Sequence, residues 1–144
     1  MKCRTFIGTE REDEILIYSR ERTELVNKIE SLVLEENTEL VGYIDRDAVR
    51  LDVSEIHCFV VEDNKVFALT EKQKYRLKQR IYTLEEMLDG NFVKINQSCI
   101  ANIGKIRKFT ASVSGSLNVT FKNGYSDYVS RRNVKKVKER LGIL

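Results

Sequence analysis

Two hydrophobic periods alternate along this chain, and the change from one to the other divides it. In the N-terminal part Leu25, Val26, Ile29, Leu32 and Val33 recur at helical intervals. That spacing predicts a helix from Glu21 to Glu35 with its apolar side chains on one stripe, and Thr23 or Ser19 stands where a cap is needed. Two short runs ahead of it, Lys2–Ile7 and Ile15–Tyr18, read as strands. The polar segment Glu35-Glu36-Asn37-Thr38 then breaks the pattern. It places a domain junction near residue 39, between an acidic α/β head (1–38) that regulates or packs and a larger body (39–144).

Beyond the junction the period shortens to that of strands. Leu40–Ile44 and Val49–Val53 flank Asp45-Arg46-Asp47, and Ile56–Val61 and Val66–Leu69 flank Glu62-Asp63-Asn64-Lys65, so two hairpins are expected. Glu71–Asp89 carries two signals. Leu77, Ile81, Leu84 and Leu88 suit one long helix, whereas Lys74-Tyr75-Arg76-Leu77-Lys78 alternates like a half-buried strand. Thr83 and Glu86 form a capping box for a shorter helix, with Gly90 as its left-handed end. Next come the apolar runs Phe92–Ile95 and Ile100–Ile106, then strands at Ala111–Val113 and Leu117–Phe121. Asn123-Gly124 turns the chain into Tyr125–Val129. Ser130 is placed to cap a last helix, Arg131 to Leu141, whose Val134, Val137 and Leu141 face inward and which Gly142 ends.

Charge sharpens this division. The formal net charge is only +3, but residues 1–62 hold 8 basic against 15 acidic side chains and residues 63–144 hold 17 against 7. A basic body of this kind seeks a polyanion. No apolar run approaches the length of a membrane span, and the polar N-terminus is unlike a secretion signal. Cys3, Cys58 and Cys99 are odd in number and widely spaced, which suits reduced thiols in a cytoplasmic protein and neither disulfides nor zinc. With one histidine and no nucleophile, phosphate-loop or metal motif, the chain is expected to be no enzyme and to need no cofactor or metal.

Lys and Arg on loops neutralise phosphates, while base reading needs paired donors and acceptors. Three places offer them: Asn64-Lys65 at a hairpin tip, Asn96-Gln97-Ser98 between apolar runs, and Arg131-Arg132-Asn133 opening the last helix. Taken singly, each also fits turn chemistry or a helix cap.

Taken together they carry a resemblance. Leu84-Glu85-Glu86-Met87-Leu88, Phe92-Val93-Lys94-Ile95-Asn96-Gln97-Ser98-Cys99-Ile100-Ala101-Asn102-Ile103 and Ile106 resemble the central signature of the LytTR family. Lys122-Asn123-Gly124 and Val129-Ser130-Arg131-Arg132-Asn133-Val134-Lys135-Lys136 are similar to its closing hairpin and final motif. The match runs over about residues 40–144, and the whole chain resembles short members that lack a receiver domain. The resemblance implies a mainly β fold with flanking helices, an elongated stack of small antiparallel sheets with a C-terminal helix, and so the strand reading at Lys74. It implies a transcription regulator whose loops enter two successive major grooves. Asn64 or Lys65 would reach the first groove, Gln97 a base edge, Asn96 a neighbouring phosphate and Arg132 the second groove, beside Arg131. Lys122 and Tyr128 would touch the backbone. Implied partners are double-stranded promoter DNA with paired direct repeats, a second copy on that DNA, and a small membrane-anchored inhibitor.

The chain departs from the family's usual residues at Asn96, Gln97, Lys94 and Ala101, which bears on base preference. A glutamine suits adenine and an arginine guanine. Asn102 reads as a structural turn residue, Lys94 as a salt-bridge residue, and Cys99 as a buried thiol. The rival readings are a protein module whose basic face meets an acidic partner, and an RNA binder. The second is disfavoured because Phe67, Phe92, Phe109, Phe121 and Tyr125 fall mostly on strands, as core residues do.

Overall fold

The computed structural model describes residues 2–10, 14–37, 40–88 and 90–142. Its body is two antiparallel sheets. Strands β1 (Leu40–Ile44), β2 (Asp47–Leu51), β3 (Cys58–Glu62), β4 (Lys65–Leu69), β5 (Lys74–Leu77), β6 (Phe92–Asn96) and β7 (Cys99–Asn102) form one sheet, ordered β2-β1-β5-β4-β3-β7-β6. Strands β8 (Ile106–Ala111), β9 (Leu117–Phe121) and β10 (Ser126–Val129) form the other, ordered β10-β9-β8. The helices are α1 (Glu24–Asn37), α2 (Ile81–Met87) and α3 (Val134–Leu141).

Strand alternation sends the large sheet's apolar side chains to both faces, so each face builds its own core. On one face Cys58, Val60, Leu69, Val93, Ile95, Cys99 and Ala101 meet Leu117, Val119, Phe121 and Val129 of the small sheet and Val137 of α3. On the other, Leu40, Ile56, Phe59, Val66, Ala68, Leu77, Phe92 and Ile100 close around Leu84 of α2. Burying each such aliphatic or aromatic side chain contributes about 1.5–3 kcal/mol, which holds the short α2 in place although a seven-residue helix has little stability of its own. The two positive-φ residues Asp63 and Asn64 make the tight β3–β4 turn, which matches the twist of the flanking strands. Gly124, at φ 91, serves the β9–β10 turn in the same way.

Several expectations are corrected. Lys2–Ile7 and Ile15–Tyr18 are not strands. Phe6, Ile7, Ile15, Leu16 and Tyr18 are exposed, so no packed surface rewards a ladder there, and the described part of the head is helical only. The ambiguous segment divides into β5 and α2, because β5 pairs with both β4 and β1. Thr83 does not cap α2: the helix begins at Ile81 with Arg80 at its N-cap, since Ile81 is drawn into the core around Leu84. Gly90 does not end α2, because the chain leaves the helix in an extended conformation at Leu88. Residues 131–133 are a 3-10 turn ahead of α3, and Ser130 caps neither through its side chain. Its hydroxyl accepts instead from the Asn133 amide at 2.8 Å. Thr23 does cap α1, accepting from Val26 N–H at 3.3 Å, yet the α1 stripe is only partly covered: Val26 is buried, whereas Leu25 and Leu32 are exposed. The junction placed near residue 39 falls on Thr38 and Glu39, outside the described residues.

Two polar side chains fix this end of the molecule, Asn102 within the large sheet and His57 between the sheets. Asn102 donates its amide to Ile56 O at 2.8 Å and accepts from Gly104 N–H at 3.0 Å, confirming its structural role. The lone histidine, His57, sits buried just before β3, and its Nδ1 accepts from Asn123 N–H at 3.2 Å. Burial, with Lys105 and Lys122 adding to it against the opposing pull of Glu71, lowers its pKa below the ordinary value of 6.5.

Two predictions follow this geometry. An added methyl at Gly42 would stand 2.6 Å from Tyr75 Cβ and 2.8 Å from Leu51 Cδ1, so Gly42→Ala should lose about 1–3 kcal/mol in urea unfolding through overpacking. The neutral form of His57 is favoured by folding, so its contribution is present above pH 6.5 and lost as pH falls through the lowered folded value. Wild-type stability should therefore decline between neutral pH and pH 5. Because there is one histidine, His57→Gln should remove most of that slope, and an unchanged slope would refute the link.

Candidate nucleic-acid interface

Two of the three expected reading segments meet at one end of the molecule, and the third lies beside them. The β6–β7 turn carries Gln97, and Ser98 O accepts from Val61 N–H at 2.9 Å. This sets the turn next to the β3–β4 hairpin, whose exposed tip holds Asn64 and Lys65. On the other side of β6, Ser130 N–H donates to Ile95 O at 2.8 Å, and the Asn133 amide reaches the same carbonyl at 3.3 Å. The segment Ser130–Asn133 is thus held against β6. Gln97, Tyr128, Arg131 and Arg132 line one open groove with Lys94, Ser130 and Asn133.

Among the described residues no carboxylate lines this groove. Lys94 is drawn aside by Glu85, with Nζ 3.4 Å from its carboxylate, which agrees with the salt-bridge reading. Arg131 and Arg132 are exposed, and among the described residues neither makes an ion pair. The groove therefore presents two unpaired guanidiniums, the exposed Gln97 amide and the half-exposed Tyr128 ring, at 56%. These are donor and acceptor groups suited to phosphates and base edges.

Asn96 is the exception. It is 1% exposed, and its Nδ2 donates to Tyr128 O at 2.8 Å and Asp127 Oδ1 at 3.1 Å, while its Oδ1 accepts from Ser98 N–H at 2.8 Å. A side chain so enclosed does not meet a phosphate, and the expected contact is corrected to a brace between the two loops. Asp127 completes the brace: its carboxylate also accepts from Tyr128 N–H at 2.8 Å and from the Tyr125 hydroxyl at 3.0 Å. Burial, aided by the Asp127 carboxylate, raises the Tyr125 pKa and keeps the phenol protonated as a donor.

Lys122 stands apart. Its N–H bonds Lys105 O at 2.9 Å, and its neighbour Asn123 bonds His57. It therefore lies at the far end of β3 from the hairpin tip, about 20 Å away along a strand. Cys99, beneath the Gln97 turn, is fully buried. Hydrogen bonding with the Cys58 thiol and burial raise its pKa, which keeps it an unreactive thiol.

The sequence reading missed the brace residues Asp127 and Tyr125 and the groove residue Ser130 as a lining group. The signal for Asp127 was present: in Ser126-Asp127-Tyr128-Val129 it alternates in phase with the buried Val129, and a carboxylate in an inward position needs partners.

Known proteins fit this geometry. The LytTr DNA-binding domain family model matches residues 46–142. An uncharacterized HTH-type transcriptional regulator of Staphylococcus aureus strain NCTC 8325 / PS 47 is 36% identical, the alignment covering 99% of each chain. Its counterpart in strain MRSA252 aligns with the same identity and coverage. Among solved structures, the LytTr DNA-binding domain of a Bacillus cereus protein described as a methyl-accepting/DNA response regulator superposes with a TM-score of 0.68 at 17% identity, covering 74% of this chain and 99% of that one. That likeness shows the fold.

The brace generates its own prediction. Asn96→Ala leaves Tyr128 O and Ser98 N–H without their partner and should lower stability in urea by about 1–3 kcal/mol. A change near zero would mean that the loops are not held through this amide.

Proposed function

Because the chain belongs to the LytTr DNA-binding domain family, we propose that it regulates transcription by reading promoter DNA through loops gathered at one end of its large sheet. That it is a DNA-binding transcription regulator is the family's own activity. The loop mechanism rests on one observation above the others: Gln97 and Arg132 share a groove that no carboxylate lines among the described residues, with Asn96 bracing its two loops from below. The Staphylococcus relatives are named HTH-type. In this chain no two α-helices are consecutive among the described residues, so the reading assigned here is by turns.

In this account Arg132 and Gln97 contact base edges, Asn64 or Lys65 enters the adjoining groove, and Arg131 and Tyr128 hold the intervening backbone. Lys122, at the opposite end, meets a flanking phosphate. The DNA-binding part comprises residues 39–144, with 1–38 an acidic appendage. No described helix is long and apolar enough to cross a membrane, and a cytoplasmic location agrees with a DNA partner. Two copies on paired direct repeats are the expected occupancy. The exposed Leu25 and Leu32 of α1 leave a surface for a protein partner, for which a membrane-anchored inhibitor is the candidate.

Promoter fragments recovered by capture of bound genomic DNA provide the probe. Arg132→Ala and Gln97→Ala should each lose about 1–3 kcal/mol of specific affinity and relax discrimination at one position. Lys122→Ala should weaken binding to every sequence alike and reduce the salt slope by about 0.9. Equal binding of the wild type to captured and random duplexes would overturn base reading.

A further inference from the structure

The small sheet and α3 cover only part of one face of the large sheet. On the remaining part of that face, register places Tyr43 beside Arg76 and Ala48, Val41 beside Arg50, and Phe67 beside Arg76. Residues paired across a ladder share a face, as do residues two apart on a strand. Arg50, Lys74, Arg76 and Lys78 therefore project from the same side, with Lys65 at the hairpin end of it, and all five are exposed. Glu62 is the carboxylate on this face, and it is taken by Lys74. Among the described residues Arg50, Lys65, Arg76 and Lys78 form no ion pair.

Two of these cations are held on aromatic rings. Lys74 Nζ lies 4.4 Å from the Phe67 ring centroid and Lys78 Nζ 4.9 Å from that of Tyr43. Cation–π contact restrains a flexible ammonium without neutralising it, so the charges are presented from a rigid platform. Like charges on neighbouring strand positions repel and weaken a sheet. Glu62 relieves this repulsion at Lys74 alone, and Arg50, Lys65, Arg76 and Lys78 are relieved neither by a carboxylate among the described residues nor by burial. A polyanion laid across the strands would relieve it.

We propose that this open half of the sheet, bearing Arg50, Arg76 and Lys78 and continuing into Lys65, is a second contact surface for the phosphate backbone of duplex DNA. It extends the footprint beyond the bases reached by the loops. The inference rests on the DNA reading above. Continuity selects DNA as the occupant: β4 leads from Phe67 to Lys65 and so to the Asn64 tip, and the carboxylate beside that path, Glu62 opposite Lys65, is engaged by Lys74. The surface adds affinity without sequence preference, because phosphates carry none.

The test measures binding of a long mixed-sequence DNA duplex over 50–200 mM salt. An Arg50→Gln, Arg76→Gln, Lys78→Gln triple variant should lower the slope of log affinity against log salt by about 2.7, at about 0.9 for each phosphate released. The charge-retaining Arg50→Lys, Arg76→Lys, Lys78→Arg set should keep the wild-type slope. In the unsubstituted chain, bound duplex should shield Lys65 and Lys78 from an amine-acetylating reagent, a readout that needs no variant to fold. Unchanged slope in the triple variant, or an unshielded Lys78 in a duplex-bound wild type, would overturn this surface alone. A triple variant that binds duplex normally but loses an acidic peptide bound by the wild type would assign the face to a protein partner and overturn it too. A wild type that binds no duplex would overturn the DNA reading together with the surface.

Discussion

A single buried amide links the two loops that border the groove. Asn96 ends β6 and spends all its polar atoms on fixed partners: one oxygen on Ser98 N–H, and its NH₂ on Tyr128 O and Asp127. The first bond shapes the turn that displays Gln97. The others pin β10, and with it the segment that displays Arg131 and Arg132. Because the amide is shielded from water, losing any partner leaves an unsatisfied polar group, and that penalty enforces the geometry more than the bonds' net gain does. The two loops come from different sheets, and this link acts with the bonds of Ser130 N–H and the Asn133 amide to Ile95 O to set their distance.

Around this link the fold divides its labour. Two apolar cores, one on each face of the large sheet, hold β6, β7 and β3 rigid and leave the turns between them exposed. Rigid strands with exposed turns suit a protein that must place a few polar groups against fixed base edges. At the opposite end Asn123, in the β9–β10 turn, bonds His57 and Thr70 O and ties the sheets again. The small sheet is thus anchored at both ends of its contact with the large one. Basic side chains cluster on the surfaces that remain, at the loop end and on the uncovered half of the sheet.

The sequence made the body legible and the head much less so. Strands β1 to β4, β6, β7, β9 and β10 follow from apolar runs and from strong turn residues at Asp63-Asn64 and Asn123-Gly124, which are local signals; the strand expected at Ala111–Val113 lies instead at Ile106–Ala111, and Val113 is exposed. The β5–α2 segment was ambiguous because Leu77, Ile81, Leu84 and Leu88 satisfy both periods, and only pairing with β4 and β1 decides between them. The head misled for the converse reason. Phe6, Ile7, Ile15 and Leu16 have strand-like composition, but propensity without a partner surface does not make a strand. At the site, the exposed groups Gln97, Arg131, Arg132, Asn64 and Lys65 were foreseeable from residue type. Asn96 was misassigned because sequence does not show which of two adjacent amides turns inward. That depends on Asp127 and Tyr128, 31 and 32 residues away.

The central claim is that one end of the large sheet, and no recognition helix, meets DNA. Backbone amide hydrogen exchange, compared between the free chain and the chain saturated with a captured promoter fragment, tests it most directly. Slowed exchange should concentrate at residues 63–65, 97–98 and 130–133, with α1 and α2 unchanged. Protection centred on α1 or α2, with those three turns exchanging as in the free protein, would contradict it.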